Sequence, residues 1–461
     1  MVTRRTFLQA STVGLALSTV PTILSAAKTG EKGYQLKARA SEHLFYDDAE
    51  QSRLWLYNDQ SPGPVIRAKK GEILEVTLHN QLDEPTTIHW HGVRNINNMD
   101  GVPGLTQDAV SPGESFIYKF PVNDAGTFWY HAHNKAWSQV ARGLYGPLII
   151  SEHFDILDAR DVVLLVDDWL LDERDQLHTT SLGNLHDRSH GGRHGNFLTV
   201  NGSSEPLIKV PSSGPVRLRF ISAANARIMR FELNDNLLMK VVSVDGSPCE
   251  PFELYQLPLA PAQRVDIIVE DVQLLSALWE VSTDERLQTA IFEQNSSLNS
   301  IGEMPKTGEP WYSKPDKALA RHIDIHMQGG VMGNLMSAVF DGTERSLRDI
   351  ARNEFKFWAL NGEIGSYDLN LAKVKLGRIV QLNVWNDTQW RHAMHLHGQH
   401  FWVKSKEFGK KSRDLLRDTY LMLPGERAEL LFVADNPGDW LFHCHMLEHH
   451  AAGMGGIISI S

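Results

Sequence analysis

A cysteine stands between two histidines, His443-Cys444-His445, with His449 five and Met454 ten positions beyond the thiol. A thiolate, imidazoles and a weak thioether make the donor set of a blue electron-transfer copper, two His and one Cys with an axial Met, and His392 is the upstream imidazole that completes it. The spacing also joins two places. On an extended strand His443 and His445 would face one side and Cys444 the other. One strand would then touch two metal sites roughly 10 Å or more apart, with covalent bonds along most of an electron route between them.

The histidines facing away from Cys444 need partners, and the chain supplies three more His-x-His pairs: His89/His91, His131/His133 and His395/His397. A single pair reads most simply as strand histidines satisfied by hydrogen bonds, which is the reading for His322 and His326. With 21 His in the chain, about one pair is expected by chance, so four pairs point to a built cluster.

The elements that must position them repeat. Gly71 stands 18 residues before His89, and Gly377 stands 18 before His395. Val76-Thr77-Leu78-His79-Asn80 leads to His89-Trp90-His91-Gly92 as Leu382-Asn383-Val384-Trp385-Asn386 leads to His395-Leu396-His397-Gly398. Pro112-Gly113-Glu114 precedes His131 as Pro424-Gly425-Glu426 precedes His443. Two copies of one domain are therefore present. A third unit between them, with Val216 to Phe220 as its strand and Pro261-Ala262-Gln263-Arg264 as its turn, carries no His-x-His. The repeat maps His89 onto His395, His91 onto His397, His131 onto His443 and His133 onto His445, which suggests a metal cluster across a pseudo-twofold interface.

These residues resemble the multicopper oxidases, in particular the three-domain bacterial laccase-like group related to periplasmic cuprous oxidases. The match covers His89-Trp90-His91-Gly92, Trp129-Tyr130-His131-Ala132-His133, His392 through Gly398, and His443 through Met454. The resemblance implies four copper ions. A type 1 copper would sit at His392, Cys444 and His449 with Met454 axial, and a type 2 copper at His89 and His395. One type 3 copper would take His91, His131 and His445, and the other His133, His397 and His443. It implies one-electron oxidation of a small reducing substrate, phenols or aromatic amines first, coupled to four-electron reduction of dioxygen to water. Oxidation of copper(I) or iron(II) is the alternative, and a non-catalytic cell-division scaffold of the same fold is a third reading that the complete ligand set opposes. Proton delivery is implied for an acid just after the first motif, matched by Asp100, which is also the turn residue of Asp100-Gly101. A second acid is implied right after the last type 1 histidine. Here that position holds His450, a residue able to relay protons, and neighbouring Glu448 stays open as a candidate.

Strand-like runs dominate the remainder: Glu72 to Asn80, Phe116 to Phe120, Val162 to Val166, Val265 to Val269, Ile379 to Val384 and Glu429 to Val433. Bounded by Pro-Gly and Asn-Gly turns, they read as antiparallel sandwiches. The expected class is all-β, and the resemblance makes it three consecutive cupredoxin-like Greek-key β-barrels, over 40–153, 154–318 and 319–461. Residues 1–27 begin Thr3-Arg4-Arg5-Thr6-Phe7-Leu8 and resemble a twin-arginine signal, so the expected partners include the twin-arginine export machinery and the expected location is the periplasm. No later run reaches about 18 apolar residues, so no membrane span is expected. A net charge of −11 argues against a nucleic-acid partner. Of the two cysteines, Cys444 is committed to metal and Cys249 reads as a plain buried or loop thiol. His186, His190 and His194 read as a solvated glycine-rich linker, and Met327, Met332 and Met336 as core or loop methionines.

Overall fold

Alternation decides which face of each strand is buried. In Ile73–Asn80 every second side chain, from Leu74 to Asn80, points inward, and in Arg378–Asn386 the inward set is Val380, Leu382, Val384 and Asn386, joined by Gln381. These two strands and Val216–Ser222 hold the same place in three successive sheets. Each pairs in parallel with the first strand of its unit, Tyr34–His43, Asp161–Trp169 or Arg321–Gly329. Each pairs antiparallel with the strand that follows the repeated turn, Ser115–Pro121, Arg264–Val269 or Arg427–Ala434. The middle unit thus shares the architecture, as its punctuation indicates.

The computed structural model describes residues 33–152, 160–234, 236–298, 308–365 and 367–461. The leader expected over 1–27 and the expected boundary at 153 and 154 lie outside these residues. A second sheet faces the first in every unit: four strands in the first, five in the second and five in the third. Each pair encloses its own apolar core. The all-β expectation, three cupredoxin-like units in series, is the architecture observed.

The strands that carry the histidines belong to these second sheets. Ile88–His91 pairs with Gly126–Ala132, setting His89 opposite His131, and His392–Leu396 pairs with Gly438–Cys444, setting His395 opposite His443. One sequence expectation needs correction, because the strand stops at Cys444 and His445 lies in the bend after it. The backbone turns there to enter the short helix Leu447–Ala451. Buried Asn80 and Asn386 explain why an asparagine precedes each motif loop. Asn80 Nδ2 donates to Glu84 O and Val110 O, each at 2.9 Å, and Asn386 Nδ2 donates to Trp390 O at 2.8 Å and Leu423 O at 2.9 Å. Both side chains thereby pin the backbone of the loop that follows.

Arg264 ties the three units together. Its fully buried guanidinium donates to Thr127 O of the first unit at 3.2 Å, to Ala262 O and Asp245 O of the second at 3.0 Å, and to both carboxylate oxygens of Asp418 in the third. Removing one partner of such a pair leaves an uncompensated buried charge. Arg264→Met in the copper-free protein is therefore expected to cost about 3–5 kcal/mol in urea unfolding. A loss within error would show that the pair does not hold the units together.

Candidate metal centres

Ten histidines and one cysteine come together in two places, and every one of them is buried. Potential ligand atoms lie within 4.8 Å of one another in the sets His91/His131/His445, His133/His397/His443 and His392/Cys444/His449. Further sets, His89/His91/His395 and His89/Asp100/His397, join the first two into one cluster. These groupings are those expected from the sequence.

The cluster has the symmetry of the repeat. His89 stacks on His397 with ring centres 3.9 Å apart, and the symmetry-related His395 stacks on His91 at 3.8 Å. His89 Nδ1 donates to Asp100 O at 2.8 Å, and His395 Nδ1 to Asp418 O at 2.9 Å. His131 Nδ1 donates to Ala132 O and His443 Nδ1 to Cys444 O, each at 3.0 Å. Each carboxylate then crosses the interface: Asp100 Oδ2 meets His397 Nδ1 at 2.8 Å, and Asp418 Oδ1 meets His91 Nε2 at 3.2 Å. Gly101 permits this approach. At φ +81° it lies so close to Ile88 that a Cβ would fall 1.8 Å from the Ile88 oxygen.

These bonds fix tautomers, because a carbonyl oxygen only accepts. With Nδ1 donating, His89, His131, His395 and His443 keep a lone pair on Nε2. His397 Nε2 and His443 Nε2 lie 3.0 Å apart, and His131 Nε2 and His445 Nε2 lie 3.4 Å apart. Burial pushes the pKa of His91, His131, His133, His397, His443 and His445 well below the usual imidazole value, so their charged forms are disfavoured. His89 Nε2, His395 Nε2, His91 Nδ1, His133 Nδ1 and His445 Nδ1 are buried without any partner. Unpaired buried nitrogens are costly unless something binds them. Cations held between the rings would satisfy those nitrogens that face inward, and the all-imidazole donor set suits copper.

The second place is built the same way. Cys444 Sγ lies 3.6 Å from His392 Nδ1 and 3.7 Å from His449 Nδ1, and the two nitrogens are 3.0 Å apart. The outer nitrogens are occupied, His392 Nε2 by Thr388 Oγ1 at 2.9 Å and His449 Nε2 by His190 O at 2.6 Å. Such second partners orient a ligand toward its metal. Met454 is buried beside them, its carbonyl accepting from Cys444 N at 3.0 Å. The donor set fits a blue copper.

The remaining sequence candidates separate. Asp100 is within the cluster, and its Oδ1 lacks a hydrogen bond while lying 3.3 Å from His89 Nδ1. The His450 ring packs 4.4 Å from that of His443 and 5.9 Å from that of His133. Glu448 turns to the second unit, where Asn225 Nδ2 donates to it at 2.7 Å and Arg193 N at 3.2 Å. Burial raises its pKa to about 7. The linker reading of 186–194 does not hold, because this segment contains the helix Leu185–Ser189 and its His190 carbonyl closes the His449 ring. Met327 is core, while Met332 and Met336 are exposed, and Cys249 is buried in the second unit.

Sequence reasoning missed Asp418, Thr388 and Arg264. Burial alone would raise the Asp418 pKa, but the charge and hydrogen bonds of Arg264 hold it well below the usual carboxylate range. It serves His395 and His91 as Asp100 serves His89 and His397, but no repeat spacing marks it, since Asp418 lies 23 residues past His395 and Asp100 lies 11 past His89.

Three family models described as multicopper oxidase match residues 39–154, 160–294 and 340–460. The structure of Lac15 from a marine microbial metagenome is 32% identical, covers 92% of this chain and 99% of its own, and superposes with a TM-score of 0.70. A multicopper oxidase from Campylobacter jejuni, described as a metallo-oxidase, is 25% identical over 95% of this chain and 94% of its own, with a TM-score of 0.75. Laccase-2 of Cryptococcus neoformans is 26% identical, covering 91% of this chain and 83% of its own.

Thr388→Val removes the hydroxyl that closes His392 Nε2, together with its bonds to Asn386 Oδ1 and Trp390. The expected outcome is an about 10–100-fold weaker hold on the metal at the cysteine site, read as loss of its visible band under a competing chelator, with the histidine cluster unaffected. Equal retention in both proteins would contradict the assigned role.

Proposed function

This chain belongs to the multicopper oxidase family, and from that premise we propose that it is a laccase-like oxidase using four copper ions to couple one-electron oxidation of phenols or aromatic amines to reduction of dioxygen to water. The observation that carries the reading is the completeness of the donor pairing: facing imidazole nitrogens 3.0 and 3.4 Å apart, and a thiol closed between two imidazoles. His392, Cys444 and His449 with Met454 would hold the type 1 copper, and His89 with His395 the type 2. His91, His131 and His445 would hold one type 3 copper, and His133, His397 and His443 the other. Bound copper supplies one-electron redox chemistry at the first site and dioxygen reduction at the cluster.

The protein's part is orientation and exclusion of water. Asp100 and Asp418 hold ligands from both outer units, so the cluster is complete only when those units meet. Cys444 and its flanking histidines belong to one short backbone segment, which fixes the separation of the two centres. Proton delivery is assigned to Asp100, whose Oδ1 is free, and to His450, which stands between the His443 ring and a cavity. Glu448 instead holds the segment over His449. The leader motif Thr3-Arg4-Arg5-Thr6-Phe7-Leu8 supports export to the periplasm by the twin-arginine machinery.

One observation favours a second substrate class, copper(I) or iron(II). His449 is fully buried, and the segment that closes it carries the exposed imidazole of His186. Ser189 O of that segment accepts from Val331 N at 2.9 Å, beside the exposed thioether of Met332. Such soft donors suit a metal ion better than a phenol.

A fully loaded preparation is expected to contain four copper ions per chain and to absorb strongly in the visible. Cys444→Ser should lose the colour and one ion and abolish oxygen uptake. A single tightly held ion in the loaded wild type would refute the reading. Oxygen uptake with phenols, aromatic amines, copper(I) and iron(II) at equal copper content is expected to be fastest with the phenols, and a faster rate with either metal ion would assign the second class.

A further inference from the structure

A cavity of about 230 Å³ opens against the histidine cluster, with His133 and His450 in its wall. Trp137, Tyr367, Arg188 and Lys356 form much of its wall. It has room for several waters or a small solute.

Its charges are unbalanced. Lys356 Nζ donates to Ala451 O at 2.8 Å, which uses one of its three hydrogens. The Arg188 guanidinium lies over the Trp137 ring at 5.2 Å, and its Nε is buried without a hydrogen-bond partner. Among the described residues neither cation forms an ion pair. The carboxylates that influence them are Glu448 and Asp341, and Glu448 is already engaged by Asn225 and Arg193. Lys135, on the same wall, is matched by Glu84 at 3.3 Å. Desolvation and their mutual repulsion both lower the Lys356 pKa. Two partly desolvated cations without a counter-charge are unfavourable, and they leave charged donors free to bind an anion.

We propose that this cavity is a binding site for one small monovalent anion, a halide or a short carboxylate, held by Arg188 and Lys356. The indole of Trp137 gives the guanidinium a flat backing and leaves its edge to the ligand. The occupant sits beside His133 and His450, on a route by which small molecules reach the cluster. The proposal does not depend on the oxidase reading, because both cations are in place without metal.

Sodium bromide and sodium formate are suitable probes. Bromide should appear by anomalous diffraction in the cavity, in the copper-loaded protein and the copper-stripped full chain alike. Titration of the stripped chain should show formate and bromide binding that weakens about tenfold or more in Arg188→Gln/Lys356→Gln, the loss expected for charge-assisted bonds, and persists in Arg188→Lys. Binding only in the loaded protein would place the anion on the metal and overturn the proposal. Bromide absent from the cavity, or equal affinity in the double variant, would also overturn it.

Discussion

Facing lone pairs are the constraint on which the rest of the structure depends. His397 Nε2 and His443 Nε2 meet at 3.0 Å while their other nitrogens are engaged with Asp100 and Cys444 O. Two acceptors cannot satisfy each other, and burial disfavours the protonated forms that could relieve them. Only rigid surroundings can maintain such contacts in the absence of a cation. The sheets, the asparagine-pinned loops and the crosswise carboxylates provide that rigidity. Preorganisation lowers the cost of ordering the site when the ion arrives.

Duplication explains how a chain can build this with few inventions. Each outer unit alone presents two pairs of histidines on two paired strands of one sheet and the residues just past their ends, too few donors for several ions. Facing the two units doubles the set, and the crosswise bonds of Asp100 and Asp418 give each unit a carboxylate that works on its neighbour's histidine. The middle unit carries no ligand, yet it is not a spacer. Arg264 neutralises Asp418, and the His190 carbonyl fixes the tautomer of His449. Asn225 and Arg193 anchor Glu448, one residue before His449.

Much of this was legible in the sequence because ligands and repeats are local patterns. The His-x-His pairs, the asparagine before each motif and the glycine spacings each fit within about twenty residues, and they lead to a cluster between the outer units and to the shared sheet order of all three, while the grouping of ligands by ion is what the family resemblance implies. The second partners are not local. Asp418 and His91 are separated by 327 residues and Glu448 and Asn225 by 223, and neither pairing has a periodic signature. Glu448 is instructive, since strand alternation gives no guide to its direction once the chain has entered the helix Leu447–Ala451. The 186–194 segment reads as linker because glycine and histidine composition carries no information about what lies beneath it.

That segment also changes where a reductant must act. The His449 ring is packed against Trp358 at 4.5 Å and its outer nitrogen is closed by a carbonyl. On the proposed reading a reductant would meet the middle unit before His449, and its recognition would rest on residues outside the repeated motifs. The metal ligands are fixed by the chemistry of the ion and by the repeat. Residues 185–195 are bound by neither, and substrate preference can diverge there while both centres stay intact. Family membership accordingly determines the donor sets but leaves the reductant to the side chains that cover them.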